Sequence, residues 1–179
     1  MKKNSKFSAP KDSGVSDHKS AAREQIRFSV ITVSDTRTLE TDKSGRVITE
    51  LLEASGHSLV DRRVVKDEIA EIREAVVSLS ELGNLDAILT TGGTGIAARD
   101  KTPEAVLPLL DGEIPGFGEL FRMLSYEEIG PACILSRAFA GRIKSKLVVC
   151  LPGSTNAIKL AVNKILIPEI THLVHHLAN

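Results

Sequence analysis

Residues 86–104, DAILTTGGTGIAARDKTPE, contain the pattern on which the fold prediction depends. They open with Ala87–Leu89, a charge-free apolar run typical of a strand buried on both faces of a parallel sheet. Gly92-Gly93-Thr94-Gly95 follows, and its glycines allow positive φ and let a ligand approach the backbone closely. Thr102-Pro103-Glu104 then predicts a helix start, with Thr as N-cap and Pro at the first helical position. The stretch therefore predicts a strand, a loop and a helix, and ligands of open α/β sheets bind at such loops.

The flanking sequence repeats this alternation of strand and helix patterns. Strands are predicted at residues 26–33, 58–65 and 147–151, with a further edge strand at 140–145. Between the strands, apolar residues recur at helical spacing and the connections are short. This order predicts an α/β fold with a mostly parallel sheet, right-handed crossovers and helices on both faces.

Several residues mark the expected helix ends. Asp42 and Ser44 are both candidates for capping the first helix, and Gly56 suits its C-terminal end. Asp67 is placed to cap the next helix, and Pro168 is placed to restart the last one.

Two predicted strand ends carry glycine loops that precede a helix, Gly92–Gly95 and Pro152–Ser154. Backbone N–H groups in such loops attract anions, and phosphate above all. Asp67 and Asp100 lie at other strand or loop ends. Because carboxylates repel phosphate, their presence beside such loops implies a divalent cation, and Mg²⁺ usually fills that role. The combination favours phosphoryl or nucleotidyl transfer.

Simpler interpretations of the same residues stay open at this point. Gly92–Gly95 also suits a plain tight turn, Asp67 a helix N-cap, and Asp100 a partner for a helix dipole. Gly93–Ala98 matches the dinucleotide-binding pattern G-x-G-x-x-A. That pattern should open a helix directly after the first strand of its unit, whereas here the strand is the third and the predicted helix begins later.

The composition narrows the classes of function. The chain has 179 residues, enough for one domain, with 23 basic and 23 acidic side chains and a net charge of zero. A neutral balance argues against a general affinity for nucleic acid, and 3% aromatic residues without Trp argue against base stacking. No apolar run approaches the ~18 residues of a membrane span, so no membrane association is predicted.

The chain ends and the cysteines complete the domain prediction. Residues 1–25 are rich in Lys, Ser and Asp without periodicity, which predicts a disordered arm before a domain at 26–179. Cys133 and Cys150 are expected to be reduced core residues, and without a signal peptide the expected location is cytoplasmic.

Three histidines share one face of the last predicted helix, at His172, His175 and His176. The spacing would suit a metal, but no Cys or carboxylate joins them nearby, so a solvated histidine face is expected instead.

Taken together, the motifs resemble those of the MoaB/MogA family of molybdenum cofactor biosynthesis proteins. The resemblance covers the chain from about residue 26 to its end and rests on residues 90–95, 99–105, 115–122 and 152–155. Residues 124–130, LSYEEIG, resemble the MoaB branch in particular.

The resemblance implies a three-layer α/β/α fold like the molybdopterin-binding domain, in a homotrimer or homohexamer. It also implies that Mg-ATP adenylylates molybdopterin, giving adenylyl-molybdopterin and pyrophosphate, and that other proteins of the pathway are partners. In that reaction the terminal phosphate of molybdopterin attacks the α-phosphate of ATP.

The resemblance assigns roles to twelve residues of this chain. Asp67 and Asp100 would be the catalytic and metal-binding acids. The residues that would bind substrate or phosphate are Ser34, Asp35, Thr91, Gly92, Gly93, Thr94, Gly95, Pro152, Gly153 and Ser154. Many active members have Pro where this chain has Thr155. The alternative is therefore a non-catalytic molybdopterin-binding or assembly protein of the same pathway.

Overall fold

The computed structural model describes residues 25–178. The predicted disordered arm lies outside the described residues, apart from Gln25. The six strands are β1 Arg27–Val33, β2 Ser58–Val65, β3 Ala87–Thr91, β4 Gly112–Glu113, β5 Phe139–Ile143 and β6 Lys146–Leu151. The α-helices are α1 Lys43–Ala54, α2 Ile69–Ser80, α3 Thr102–Val106, α4 Pro115–Ile129, α5 Thr155–Ala161 and α6 Ile167–Leu177.

The strands form one mixed sheet in the order β2-β1-β3-β6-β5-β4. β2, β1, β3 and β6 run parallel, whereas β5 is antiparallel to both β6 and β4. The mostly parallel sheet is therefore confirmed. Because β1, β3 and β6 are adjacent and parallel, the loops that follow them leave the same edge of the sheet.

Helices cover both faces of the sheet, which confirms the three-layer α/β/α fold. Val30, Leu89 and Val149 point into a core formed with α1, α4, α5 and α6. Their strand neighbours Ile31 and Ile88 point to the opposite face, where a second core contains residues of α2 and α3. A strand buried on both faces has no solvent side that needs polar residues, which explains the charge-free runs.

Some local predictions are confirmed. Asp42 caps α1, since its carboxylate accepts a hydrogen bond from the backbone N–H of Gly45 at 2.9 Å. Gly56 follows the end of α1 with φ of +89°. Ser154 caps α5 by accepting from the N–H of Ala157 at 3.3 Å.

Two predicted helix caps are wrong, because both side chains bind elsewhere. Asp67 does not cap α2; its Oδ1 accepts a hydrogen bond from the N–H of Lys101 at 3.0 Å. Thr102 does not cap α3; it lies inside the helix and its hydroxyl donates to the carbonyl of Gly92 at 2.8 Å. Both side chains therefore lie beside the loop Gly92–Gly95, which is called the glycine loop below.

The predicted edge strand at 140–145 is also wrong in its position in the sheet. β5 lies between β6 and the two-residue strand β4, which forms that edge among the described residues. The restart predicted at Pro168 is confirmed, because Pro168 lies in the first turn of α6, and the π-helical turn Val162–Leu166 joins α5 to α6. Of the two cysteines, Cys150 is fully buried and Cys133 is partly exposed, and both are free thiols.

Acid is expected to destabilise the fold through His57. This side chain is buried, and its Nδ1 accepts a hydrogen bond from the N–H of Ile26 at 3.3 Å. Burial lowers the pKa of His57 below its ordinary value. The unfolded chain therefore binds a proton that the folded chain does not, so stability falls as the pH drops below about 6.5.

Urea unfolding at pH 7.5 and pH 5.5 measures this effect. His57→Gln should lose less stability between the two pH values than the unsubstituted protein, because Gln has no proton to gain. An unchanged pH dependence in His57→Gln would refute the assignment.

Candidate functional site

A polar cavity of about 320 Å³ lies where β1, β3 and β6 end. It is bounded by the loops after these three strands and by the segment after β2. Its lining residues are Val33, Ser34, Thr36, Arg37, Asp67, Thr91, Gly92, Gly93, Thr94, Gly95, Arg99, Asp100, Pro152 and Gly153.

The cavity brings together the predicted site residues with two exceptions, Asp35 and Ser154. Asp35 does not line the cavity, but its Oδ1 accepts a hydrogen bond from the backbone N–H of Asp67 at 3.1 Å. Ser154 is the cap of α5 and lines a neighbouring cavity. Residues that are 87 positions apart in sequence, Asp67 and Ser154, are thus placed around the same glycine loop.

The glycine loop has a backbone shape that requires glycine. Gly92 and Gly93 have φ of +104° and +62°, in the region that L side chains rarely adopt. A Cβ on Gly92 would lie 2.3 Å from the carbonyl oxygen of Val33. A Cβ on Gly93 would lie 2.9 Å from both carboxylate oxygens of Asp67. The missing side chains leave room for Asp67 directly beside the loop.

Hydrogen bonds fasten the glycine loop to the strand ends on either side. The N–H of Gly92 donates to the carbonyl of Leu151 at 3.0 Å. The hydroxyl of Thr91 donates to the carbonyl of Pro152, also at 3.0 Å. The loop after β3 and the loop after β6 therefore form one connected rim.

The two acids hold their carboxylates at this rim in different ways. Asp67 is 8% exposed, and burial raises its pKa, as does repulsion from Asp100 and Asp35. The hydrogen bond from Lys101 and the charge of Arg99 act in the opposite direction. The Asp100 carboxylate lies over Gly95, where a Cβ would be 2.6 Å from Oδ2. Two carboxylates thus line one small cavity, and a cation between them would offset their mutual repulsion.

This donor set fits Mg²⁺, which prefers carboxylate oxygens and usually keeps water or phosphate as its remaining ligands. Within residues 25–178 no group of three His, Cys, Asp or Glu side chains is arranged to hold a metal. Asp67 and Asp100 could therefore provide two ligands, and the others would come from water and substrate. His172, His175 and His176 do not form such a group either, although a 2.8 Å contact joins the Nε2 atoms of His172 and His176.

Two arginines add positive charge to the lining of the cavity. Arg37 follows β1 and contacts the hydroxyl of Ser44, and Arg99 precedes Asp100 in the segment after the glycine loop. Arg99 was not among the predicted site residues, although its position beside Asp100 in an exposed loop could have indicated it. Both residues line the cavity and carry positive charge, and Nη1 of Arg37 also lies 3.9 Å from Oδ1 of Asp42.

A second, mostly apolar cavity of about 230 Å³ shares Thr94, Gly95 and Pro152 with the first. Its other lining residues are Phe121, Ser125, Ile129, Ala132, Cys133, Leu135, Ser136, Ser154 and Ala157. A groove of about 700 Å³ lies elsewhere, between α3, α4 and β5, and none of the predicted site residues lines it. We therefore take the polar cavity, where the charged groups converge, as the candidate site.

A family model and individual relatives both match this chain over most of its length. Residues 29–172 match the family model described as a probable molybdopterin binding domain. Molybdenum cofactor biosynthesis protein B of Bacillus subtilis (strain 168) is 51% identical over 164 residues, which are 91% of this chain and 96% of the relative.

Solved structures agree with the sequence relatives. A crystal structure of molybdenum cofactor biosynthesis protein B superposes with a TM-score of 0.83 at 49% identity, covering 86% of this chain and 96% of the other. The tungsten cofactor synthesizing protein MoaB from Pyrococcus furiosus gives a TM-score of 0.81 at 40% identity, covering 88% of this chain and all of the other. No helix among residues 25–178 combines the length and apolar character that a bilayer crossing needs. The chain belongs to the MoaB/MogA family of molybdenum cofactor biosynthesis proteins.

Proposed function

We propose that this protein transfers AMP from Mg-ATP to molybdopterin, giving adenylyl-molybdopterin and pyrophosphate. The observation that carries the proposal is the convergence of Asp67 and Asp100 over the glycine loop, in a polar cavity that also contains Arg37 and Arg99. Phosphoryl-type transfers need positioned phosphates and compensated charge more than they need a protein nucleophile.

In the proposed reaction a terminal phosphate oxygen of molybdopterin attacks the α-phosphorus of ATP. A new P–O bond forms, the bond to the β-phosphate breaks, and pyrophosphate leaves. Asp67 and Asp100 would hold Mg²⁺, which would neutralise phosphate charge. Arg37 and Arg99 provide further positive charge, and Gly93 leaves the space in which the Asp67 carboxylate lies beside the loop.

The apolar cavity supports a place for the pterin ring. Phe121 and Leu135 contribute apolar walls, and Ser125 and Ser136 contribute hydroxyl groups that suit the polar edges of a flat heterocycle. Because Thr94 and Gly95 border both cavities, a ligand there would extend from a ring on one side to a phosphate on the other.

The alternative is a molybdopterin-binding or assembly protein without catalysis, and Thr155 favours it. Thr155 is the first residue of α5, directly after the Ser154 cap, at the position where the family resemblance leads us to expect Pro in active members. The presence of both acids at the cavity favours the enzyme, because a protein that only binds the pterin needs no metal-binding pair.

Incubation of the purified protein with molybdopterin, ATP and Mg²⁺ tests the proposal. Mass spectrometry should detect the AMP adduct, together with released pyrophosphate. With α,β-methylene-ATP no adduct should form, because the bond that must break is replaced by P–C. Tight molybdopterin binding without any adduct would reject catalysis and favour the alternative.

Self-association is part of the proposal, as a homotrimer or homohexamer. α4 and the 3₁₀ turn after it, Gly130–Leu135, carry large apolar side chains that are each at least 38% exposed, namely Leu120, Met123, Tyr126, Ile129, Ile134 and Leu135. So many exposed apolar groups on one segment favour burial against a second copy. The proposal also keeps the predicted cytoplasmic location and the contact with other proteins of the pathway.

Light scattering should give a mass of three or six times the 19.3 kDa of one chain. Met123→Glu combined with Ile134→Glu should lower that mass, because two charges would have to be buried in the contact. Leu39→Glu, a change at an exposed apolar residue outside this segment, should leave the mass unchanged. A stable monomer of the unsubstituted protein would refute self-association.

A further inference from the structure

Asp100 lies at the base of a short exposed loop. Residues 96–99 are all exposed, and the loop is closed by two hydrogen bonds between Ala97 and Asp100. One joins the N–H of Asp100 to the carbonyl of Ala97, and the other joins the N–H of Ala97 to Oδ2 of Asp100, both at 2.9 Å. The orientation of the Asp100 carboxylate therefore depends on the shape of this loop.

Arg137, from a distant part of the sequence, forms hydrogen bonds with the residues at both ends of that loop. It lies between the 3₁₀ turn and β5, and its Nε donates to the carbonyl of Gly95 at 2.7 Å. Its Nη2 donates to the carbonyl of Asp100 at 3.0 Å, and its backbone N–H donates to the carbonyl of Thr94 at 2.9 Å. One residue thus satisfies three carbonyls of the segment that contains the candidate metal ligand.

Glu104 orients the guanidinium group from the other side. Its carboxylate forms an ion pair with Nη1 of Arg137, and that contact lowers the pKa of Glu104. The planar guanidinium is therefore held between α3 and the loop by three partners, the carbonyls of Gly95 and Asp100 and the carboxylate of Glu104. A Lys side chain has no such planar fork and cannot reproduce the two carbonyl contacts in the same geometry.

We propose that Arg137 is a positioning residue, which holds the Asp100 loop so that the carboxylates of Asp100 and Asp67 share one divalent cation. The inference rests on the proposed function. The carboxylates of Asp67 and Asp100 line one cavity and repel each other, so a loop free to move would carry Asp100 away from Asp67. Arg137 opposes that movement by bonding to the main chain on both sides of residues 96–99.

Arg73 offers a matched control with the same chemistry. Its Nε and Nη2 donate to the carbonyls of Ala105 and Glu104, at 3.2 and 3.1 Å. Arg73→Lys therefore also removes a guanidinium from two carbonyls, but in α3 and not in the loop that carries Asp100.

Titration of the full-length protein with Mn²⁺, followed by electron paramagnetic resonance, measures the cation site without turnover. Arg137→Lys should weaken Mn²⁺ binding by about 10- to 100-fold, the usual effect of removing a group that orients a metal ligand. Arg73→Lys should bind Mn²⁺ like the unsubstituted protein. In the transfer assay, Arg137→Lys should need more Mg²⁺ for half-maximal rate and recover its kcat when Mg²⁺ is saturating.

Unchanged Mn²⁺ affinity in Arg137→Lys would overturn the inference, as would an equal loss in Arg73→Lys. If Arg137→Lys does not fold, Glu104→Gln provides the second variant, and it should weaken Mn²⁺ binding in the same direction by less. Should the unsubstituted protein bind Mn²⁺ but form no AMP adduct, the proposed reaction fails while the Mn²⁺ comparison still decides the role of Arg137. If the unsubstituted protein binds no Mn²⁺, the inference fails with it.

Discussion

Replacing Asp67 or Asp100 with Asn is expected to lower the rate of AMP transfer by about 10³-fold or more, since each change removes several kcal/mol of charge compensation. Asn keeps the size of Asp but has no charge to hold a divalent cation. Molybdopterin binding should change little, because neither substitution alters the apolar cavity. The measurement is single-turnover formation of the AMP adduct, together with molybdopterin affinity.

Asp67→Asn should not lower the stability of the fold, although it lowers the rate of AMP transfer. Burial and the nearby charges of Asp100 and Asp35 make ionised Asp67 unfavourable in the fold, and this raises its pKa. An uncharged Asn avoids that penalty, and its oxygen can still accept the hydrogen bond from Lys101. Without Mg²⁺, the free energy of unfolding of Asp67→Asn should therefore equal or exceed that of the unsubstituted protein.

A loss of activity with undiminished stability separates a functional role from damage to the fold. Asp61→Asn is the control, because Asp61 is a partly exposed residue of β2 that pairs with Arg63. It should transfer AMP at the normal rate. Normal turnover in both Asp67→Asn and Asp100→Asn would exclude the carboxylates as essential groups.

The elements predicted best from the sequence are those with a continuous or periodic pattern of apolar residues. Strands such as β3 and β6 are recognised because an element buried on both faces has to be apolar throughout. β4 could not be predicted in this way, because a strand of two residues has no periodicity. Its pairing with β5 depends on the fold as a whole. Pro168 indicates the start of α6, but the π-helical turn Val162–Leu166 before it leaves no sequence pattern of its own.

In the site, too, features set by neighbouring residues could be predicted from the sequence, whereas contacts between distant residues could not. The glycine loop is predicted from adjacent residues, because its backbone shape needs glycine at Gly92 and Gly93. Asp67 and Thr102 match local capping patterns, yet their side chains bind Lys101 and Gly92 instead. Tertiary partners outcompete a local cap when they satisfy the same atoms and also join two elements. Arg137 could not be found this way, since it is 37 residues from Asp100 and only the fold brings them together.

Replacing Gly93 with Ala is expected to lower AMP transfer by about 10²-fold, the scale of a misplacement of reacting groups by about 1 Å. The new Cβ would lie 2.9 Å from both oxygens of Asp67 and 2.5 Å from the hydroxyl of Thr102. Asp67 would have to rotate away from the position that it shares with Asp100, so Mn²⁺ affinity should fall together with the rate.

Gly56→Ala separates this displacement from backbone strain. Gly56 and Gly93 both have positive φ, so Ala at either position costs about 1–2 kcal/mol of stability. A Cβ on Gly56 would meet no atom within 4 Å, whereas a Cβ on Gly93 would contact Asp67. Both variants should unfold at lower urea concentration, but Gly93→Ala alone should lose Mn²⁺ affinity and activity. Equal activity in the two variants would mean that the space over Gly93 has no role in placing Asp67. The glycine would then be required by the turn and not by the chemistry.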